Sequence, residues 1–185
     1  MKHIKIRPSD NSLLLWLYKK SGQGSILGTV YKVPLGYYGL KVPRDNNGSI
    51  IYPGNEIKVK RQSALYIIKA SPFEPLGWGI GSLPCVTSRG EATTVGVNGT
   101  FSFSVELPQL LYEEVADMGD KVFLESFREK IVSLMGNEII NSFNPNTVKQ
   151  LNEVSKSVLN CQNNIAAIFE SFGLKLKSFV IEGTV

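Results

Sequence analysis

Histidine and cysteine are scarce in this sequence, which excludes much of the usual catalytic and metal-binding chemistry. The only histidine is His3, and the two cysteines, Cys85 and Cys161, lie far apart with no Cys-x-x-Cys or Cys/His spacing. A histidine-based acid–base or nucleophile pair would have to use His3, and a zinc site lacks its ligands. We expect two buried free thiols, as in a reducing compartment, with a disulfide as the alternative.

Long apolar runs are absent too. The longest, LLLWLY at residues 13–18, is far shorter than the roughly 20 residues that a membrane-spanning helix needs. No charged segment followed by an apolar one precedes it, so a secretion signal is not expected. These absences predict a cytoplasmic protein, either freely diffusing or peripheral at the inner face of the membrane.

The sequence motifs of common enzyme classes are also missing. There is no Gly-x-Ser-x-Gly and no Gly-x-x-x-x-Gly-Lys-Ser/Thr phosphate loop. The cluster GWGIG at residues 77–81 lacks the strand before it and the helix after it that a dinucleotide site needs. The neighbouring carboxylates Glu113/Glu114 and Asp117/Asp120 are typical of a solvated helix face. We therefore predict a protein that is not an enzyme and binds no cofactor and no metal.

What the sequence does contain is an uneven distribution of charge. Residues 1–70 hold twelve Lys/Arg against three Asp/Glu, whereas residues 71–185 hold eight against thirteen. A basic half attracts anionic lipid or nucleic acid, and opposed halves can attract each other between copies. A solvated surface without a partner is the alternative. Nucleic acid is not expected, because neither a recognition helix nor an aromatic-basic strand motif is present.

Short apolar and β-branched runs separated by Gly, Pro and Asn fill the first 70 residues, which is typical of strands joined by turns. RDNNGS at residues 44–49 predicts a hairpin, because Asn47-Gly48 accepts the positive φ of a tight turn. Residues 71–92, rich in Pro and Gly, predict a long connection or β-arch. Trp78 within it is interpreted as closing the edge of a core, with ligand stacking as the alternative.

From residue 93 an alternating strand leads into helices. Asn98-Gly99 in this strand is either a tight turn or a bulge. Pro108 is predicted to start a short helix that ends at Gly119, and Asp120 to cap a second helix over residues 121–143. The second helix has an apolar stripe that repeats every four residues. The stripe is Phe127, Ile131, Met135, Ile139 and Phe143.

A third helix is predicted to start at Asn144-Pro145 and to end at Gly173, before a final strand. It carries a regular apolar seam whose members are spaced alternately by three and four residues. The seam is Leu151, Val154, Val158, Cys161, Ile165, Ile168 and Phe172. Its neighbour is either the sheet of the same chain or a partner helix in a second copy.

These elements predict an α+β fold in which an N-terminal antiparallel β-rich lobe precedes a strand, a short helix, two longer helices and a final strand. The predicted domains are an N-terminal segment, residues 1–23, and one domain over residues 24–185. That domain divides into a β-rich lobe, residues 24–92, and an α/β lobe, residues 93–185.

Three stretches of the sequence resemble a known family in their order and spacing. NNGSIIYPGNEIKV has a glycine turn and a Pro-Gly strand pair, and LGWGIGSLPCVTSRGEATTVGVNGTFSFSVELPQLL joins a Trp-Gly segment to a strand and a Pro-started helix. FESFGLKLKSFVIEG is a helix end, a turn and a strand. Together they resemble the SPFH domain, also called band-seven or prohibitin-homology, of stomatins, prohibitins and flotillins. The bacterial virion core protein-like branch is the most similar, although Leu107 replaces the usual aspartate before Pro108.

The resemblance implies a non-enzymatic scaffold that self-associates and acts at or near the cytoplasmic face of a membrane. In the family a long coiled coil usually follows the last strand, so the homo-oligomer that the resemblance implies is formed either by this chain or only with residues beyond Val185. Many stomatin-like members also have an N-terminal hydrophobic anchor, which this sequence lacks. The alternative is a soluble adaptor that binds a protein client, such as a membrane protease or its regulator.

Two surfaces are predicted from these considerations. Basic residues near an anionic leaflet contribute on the order of 1 kcal/mol each, so those flanking LLLWLY are the candidate membrane contact. That contact is Lys2, Lys5, Arg7, Leu14, Trp16, Lys19 and Lys20. A core strand with solvated neighbours is the alternative for this segment. The seam of the third helix is the candidate self-association surface.

Overall fold

The computed structural model describes residues 3–8, 10–43, 48–70, 74–143 and 149–184, the side chains of Lys149 and Leu151 excepted. These ranges hold twelve strands and four α-helices, which confirms the α+β class. The chain divides into two compact units. The first unit is Met1–Ser71 with Val105–Phe127, and the second is Pro72–Ser104 with Arg128–Val185. This division differs from the predicted domains: residues 1–23 and 105–127 belong to the first unit, and residues 72–92 belong to the second.

Eight strands form two sheets in the first unit. They are β1 (His3–Lys5), β2 (Leu13–Lys19), β3 (Thr29–Lys32), β4 (Tyr37–Val42), β5 (Ser49–Ile51), β6 (Glu56–Val59), β7 (Ala64–Lys69) and β10 (Lys121–Phe123). One sheet has the order β1-β3-β6 and the other the order β10-β2-β7-β4-β5. Most pairs are antiparallel as predicted, but β1 runs parallel to β3.

The hairpin predicted at RDNNGS is present as a strand pair. Strands β4 and β5 are antiparallel, with Lys41 opposite Ser49. The turn itself, residues 44–47, lies outside the described residues.

The core of the first unit combines side chains from both sheets. Strand β2 is buried at four consecutive residues, Leu13 to Trp16, so side chains on both of its faces are covered. Trp16 and Tyr37 meet edge to face with their ring centroids 5.7 Å apart. Other members of this cluster are Leu13, Tyr31, Val59, Leu65 and Ile67. Burying a large side chain of this kind contributes about 1.5–3 kcal/mol.

Residues 105–127 join the first unit through a helix and a strand. Helix α1 (Pro108–Val115) starts at Pro108 as predicted, and Gly119 ends the following 3-10 turn with φ +106. The prediction of a helix from Lys121 is wrong, because Lys121–Phe123 pairs with β2 as strand β10. The backbone N–H of Leu17 donates to the carbonyl oxygen of Asp120 at 2.7 Å, which adds to this pairing.

The second unit contains a four-stranded sheet. Its strands are β8 (Leu76–Val86), β9 (Ala92–Val105), β11 (Lys149–Gln150) and β12 (Leu174–Thr184), in the order β11-β8-β9-β12. The prediction of a connection over residues 71–92 is therefore wrong. Gly77, Gly79 and Pro84 of β8 are exposed, while Trp78 and Ile80 are buried. Because glycine and proline are uncommon inside strands, the sequence of β8 did not predict a strand. Buried and exposed residues nevertheless alternate along much of it.

Trp78 closes the core of the second unit, as interpreted from the sequence. It is 4% exposed, and its ring stacks on Phe179 with centroids 4.8 Å apart. Asn98-Gly99 is not a turn, because both residues continue strand β9, where Gly99 lies opposite Trp78. A bulge is present instead in β8, between Ile80 and Leu83.

The other helices are α2 (Leu124–Ser142), α3 (Val154–Asn160) and α4 (Gln162–Ser171). Helices α3 and α4 belong to the second unit, as does α2 from Arg128 onward, whereas residues 124–127 belong to the first unit. The predicted stripe of the second helix is buried along its whole length. The prediction of one continuous third helix is wrong, because the helix is interrupted at Cys161, between α3 and α4. Asn144-Pro145 lies outside the described residues. Gly173, with φ +69, ends α4 as predicted, and its N–H donates to the carbonyl oxygen of Glu170.

The predicted seam belongs to the core of its own unit. Val154, Val158, Cys161, Ile165 and Phe172 are buried, and both α3 and α4 contact β12. Ile168 is only half-buried, whereas the next residue, Phe169, is buried. The side chain of Leu151 is not described. For the seam residues that the structure describes, the alternative in which the seam packs on the same chain is thus the one observed.

Two further observations concern the sequence predictions. Cys85 and Cys161 are free and buried, as expected. Within the described ranges, no helix is both long and apolar enough to cross a membrane.

Candidate functional site: a basic sheet face between apolar turns

The predicted membrane contact is divided by the fold into buried and exposed residues. Leu14 and Trp16 are buried in the core of the first unit, which leaves neither side chain free to contact lipid. Lys5, Arg7 and Lys20 are exposed. Lys2 lies outside the described residues. The apolar half of the predicted contact is therefore a core strand, which was the alternative for this segment.

Lys19 is also buried, because its ammonium group serves as an internal donor. The side chain is 5% exposed, and Nζ donates to four backbone carbonyl oxygens. These belong to Ser63 at 2.6 Å, Lys60 at 3.2 Å, Lys20 at 3.3 Å and Arg61 at 3.5 Å. Burial lowers the pKa of Lys19, whereas the carbonyl dipoles favour the charged form. Lys19 thus holds the turn between β6 and β7 and is not a surface cation.

The two structural units differ less in net charge than the two halves of the sequence do. Residues 105–127 carry six carboxylates and one lysine, so the first unit holds thirteen Lys/Arg against nine Asp/Glu, and the second holds seven of each. Asp120 from this segment pairs with Lys20 at 2.8 Å. The net charge of +4 therefore belongs to the first unit, which has an acidic segment as well as basic strands.

The outer face of the sheet β1-β3-β6 concentrates the exposed cations. Paired residues share one face of a sheet, and the register places Lys5 beside Lys32 and Lys58 beside Val30. All three lysines are exposed; we call Lys5, Lys32 and Lys58 the basic face. On the opposite side of the same sheet, Tyr31 is buried in the core.

The basic face contains an unfavourable arrangement of charge. Lys5 lies directly opposite Lys32, and like charges at paired positions destabilise a sheet. Glu56 lies beside Lys32 but is also 3.9 Å from His3. An anion bound over Lys5 and Lys32 would relieve the repulsion between them.

A turn with two exposed aliphatic side chains precedes β3. Ile26 and Leu27 are 75% and 80% exposed. The N–H of Gly28 donates to the carbonyl oxygen of Ser25 at 3.0 Å, and the N–H of Leu27 donates to Ser25 Oγ at 3.2 Å. Gly28 has φ +89, a conformation that favours glycine. The turn therefore presents its apolar side chains in a defined conformation.

Two adjacent turns at the other end of β3 repeat this arrangement. Leu35, 81% exposed, lies in the turn closed by Tyr37 N–H and the carbonyl oxygen of Pro34. Tyr52, 62% exposed, begins the other turn, in which the N–H of Asn55 donates to the carbonyl oxygen of Tyr52. A cleft of about 270 Å³ beside Leu35 is bordered by Lys5 and Lys32. We call Ile26, Leu27, Leu35 and Tyr52 the apolar turns.

Sequence reasoning missed the apolar turns, although a signal was present. The segments GSILG, PLG and YPGN place each exposed side chain within one to three residues of a turn glycine. Apolar residues at turn tips cannot reach a core. Hydrophobicity alone pointed to LLLWLY, a continuous apolar run whose first four side chains are buried in strand β2.

Two of the carboxylates that the sequence brought forward make side-chain contacts in the structure. The side chain of Gln109 donates from Nε2 to Glu113 Oε1 at 3.1 Å, and Asp120 pairs with Lys20. In the part of the chain that the structure describes, no three His, Cys, Asp or Glu side chains come together as a possible metal site.

Comparison with protein-family models and with curated protein sequences finds no match to this chain.

Proposed function

We propose that this chain is a non-enzymatic SPFH-type scaffold domain that attaches to an anionic membrane surface and self-associates there. The attachment is made by the basic face together with the apolar turns. The observation that carries this proposal is that the exposed lysines of the basic face lie on the same sheet as β3, whose two ends are close to four exposed apolar side chains.

The energetics of such a surface suit reversible attachment. Each lysine near an anionic leaflet contributes about 1 kcal/mol, and burying an exposed leucine contributes up to about 1.5–3 kcal/mol. The resemblance to the SPFH domain supports a role at the membrane on separate grounds. Self-association rests on that resemblance, because the predicted seam is used in the core.

Vesicle binding tests the attachment. The chain is expected to co-sediment with phosphatidylcholine vesicles that contain phosphatidylglycerol, and the bound fraction should fall with added salt because surface charges are screened. Replacing Lys5, Lys32 and Lys58 together by Gln should weaken binding about a hundredfold. The single change Leu27→Ser should weaken it about tenfold.

The matched control keeps the same change of net charge. Lys121, Lys156 and Lys177 are exposed lysines outside the basic face, and their combined replacement by Gln should weaken vesicle binding much less. Equal losses in the two triple variants, or equal binding to vesicles of phosphatidylcholine alone, would contradict the proposed surface.

Light scattering after size exclusion tests self-association. The molar mass is expected to rise with protein concentration above that of one 20.4 kDa chain. A single-chain mass at every concentration, combined with no vesicle binding, would reject the scaffold. The adaptor for a protein client would then be the better hypothesis.

A further inference from the structure

A cavity lies beside the turn that carries Ile26 and Leu27. It has a volume of about 550 Å³, within the roughly 300–1,000 Å³ of small-molecule sites. Its apolar lining comes from Ile4, Leu27 and Tyr31, and its polar lining from Ser25, Thr29 and Lys58. An apolar cavity with a few polar groups at one side favours an elongated molecule with one polar end.

Lys58 determines which polar end group of a ligand the cavity favours. Its ammonium group is exposed and has no acidic partner within 4 Å in the described part of the chain. Its register partner on β3 is Val30, so the neighbouring position supplies no counter-charge. A carboxylate would fit here, since an ammonium group prefers an anionic oxygen as its hydrogen-bond acceptor.

The backbone around the cavity is arranged before any ligand binds. Gly24 and Gly28 both have positive φ, +86 and +89. A Cβ atom on Gly28 would lie 2.9 Å from Cε of Lys58, so glycine lets the lysine stem lie across the cavity wall. Leu27, 80% exposed, is free to fold over an apolar chain. A preformed site loses less conformational entropy on binding.

We propose that this cavity binds a linear aliphatic carboxylate, with the acyl chain along Ile4, Leu27 and Tyr31 and the carboxylate at Lys58. Charge complementarity selects the carboxylate over an alcohol or an amine of the same length. The inference does not require the proposed function, because a dissolved acid can bind whether or not the chain attaches to a membrane.

Titration with sodium decanoate below its micelle concentration tests the cavity. Nuclear magnetic resonance should show saturable shifts of the backbone amides of Gly24, Gly28 and Tyr31. Decan-1-ol and decyltrimethylammonium, which have the same chain without the negative charge, should bind at least about tenfold more weakly, because an ionised hydrogen-bond partner is lost. Equal binding of all three probes, or shifts confined to other residues, would overturn the proposal.

Two variants test which lysine of the basic face holds the carboxylate, because Lys58 lines the cavity and Lys32 does not. Lys58→Gln should weaken decanoate binding about tenfold, whereas Lys32→Gln, at the other end of β3, should leave it unchanged. If Lys58→Gln binds decanoate as the wild type does, the cavity is not a carboxylate site. Decanoate binding without vesicle binding would reject only the membrane function, and the reverse result would reject only the cavity.

Discussion

Gly99→Ala is expected to destabilise the second unit by at least about 3 kcal/mol, since a methyl group there cannot be accommodated by side-chain movement. A Cβ atom at this position would overlap the backbone carbonyl group of Val180 on β12. Backbone atoms of a paired strand cannot rotate away, so β9 and β12 would have to separate. Gly99 has no positive φ in this structure, so the effect arises from the close approach of β12 alone.

Each unit contains one tryptophan, so the unfolding of one unit can be followed by fluorescence when the other tryptophan is replaced. In a Trp16→Phe background the remaining Trp78 reports on the second unit, where it stacks on Phe179. Urea unfolding followed by fluorescence should give a lower midpoint for Gly99→Ala. The matched control is Gly77→Ala on the neighbouring strand, where a Cβ atom would meet nothing within 4 Å. Equal stability of the two variants would show that β12 does not approach β9 this closely.

Lys19→Met is expected to destabilise the first unit by about 2–3 kcal/mol, because buried carbonyl groups lose a charged donor. The methionine side chain retains most of the apolar stem but cannot donate to Ser63, Lys60 or Arg61. The opposing contribution is the cost of desolvating the ammonium group, which also lowers the pKa of Lys19. We expect the hydrogen bonds to prevail, since the shortest is 2.6 Å.

The control for this prediction is the next residue. Lys20 is exposed and pairs with Asp120 at the surface, so Lys20→Met should cost no more than about 1 kcal/mol. Both variants can be followed by Trp16 fluorescence in a Trp78→Phe background. An increase in the free energy of unfolding for Lys19→Met would mean that desolvation outweighs the hydrogen bonds.

The strands and helix ends were largely predictable because they depend on neighbouring residues. Short apolar and β-branched runs between turn residues predicted β2, β4 and β7, Pro108 predicted the start of α1, and Gly173 predicted the end of α4. The failures occurred where local signals conflict with pairing. Strand β8 was not predicted because it contains glycine and proline. Residues 121–123 are compatible with a helix but form a strand, because they pair with the edge of β2.

Of the candidate site, the sequence predicted the sign of charge and one member of the basic face, Lys5. Composition indicated a basic N-terminal half, but the residues chosen for membrane contact included Leu14, Trp16 and Lys19, all of which the fold buries. Whether a lysine meets solvent or four carbonyl oxygens depends on residues 60–63, more than 40 positions away. No local pattern carries that information.

By itself the sequence determined the α+β class, the scarcity of catalytic side chains and the excess of lysine and arginine in the N-terminal half, because each follows from composition or short periodicity. The tertiary structure alone decided which lysines form a common face, which apolar residues remain outside at turns and where a cavity opens. These properties arise from contacts between residues distant in the chain, since strand register places Lys5 beside Lys32.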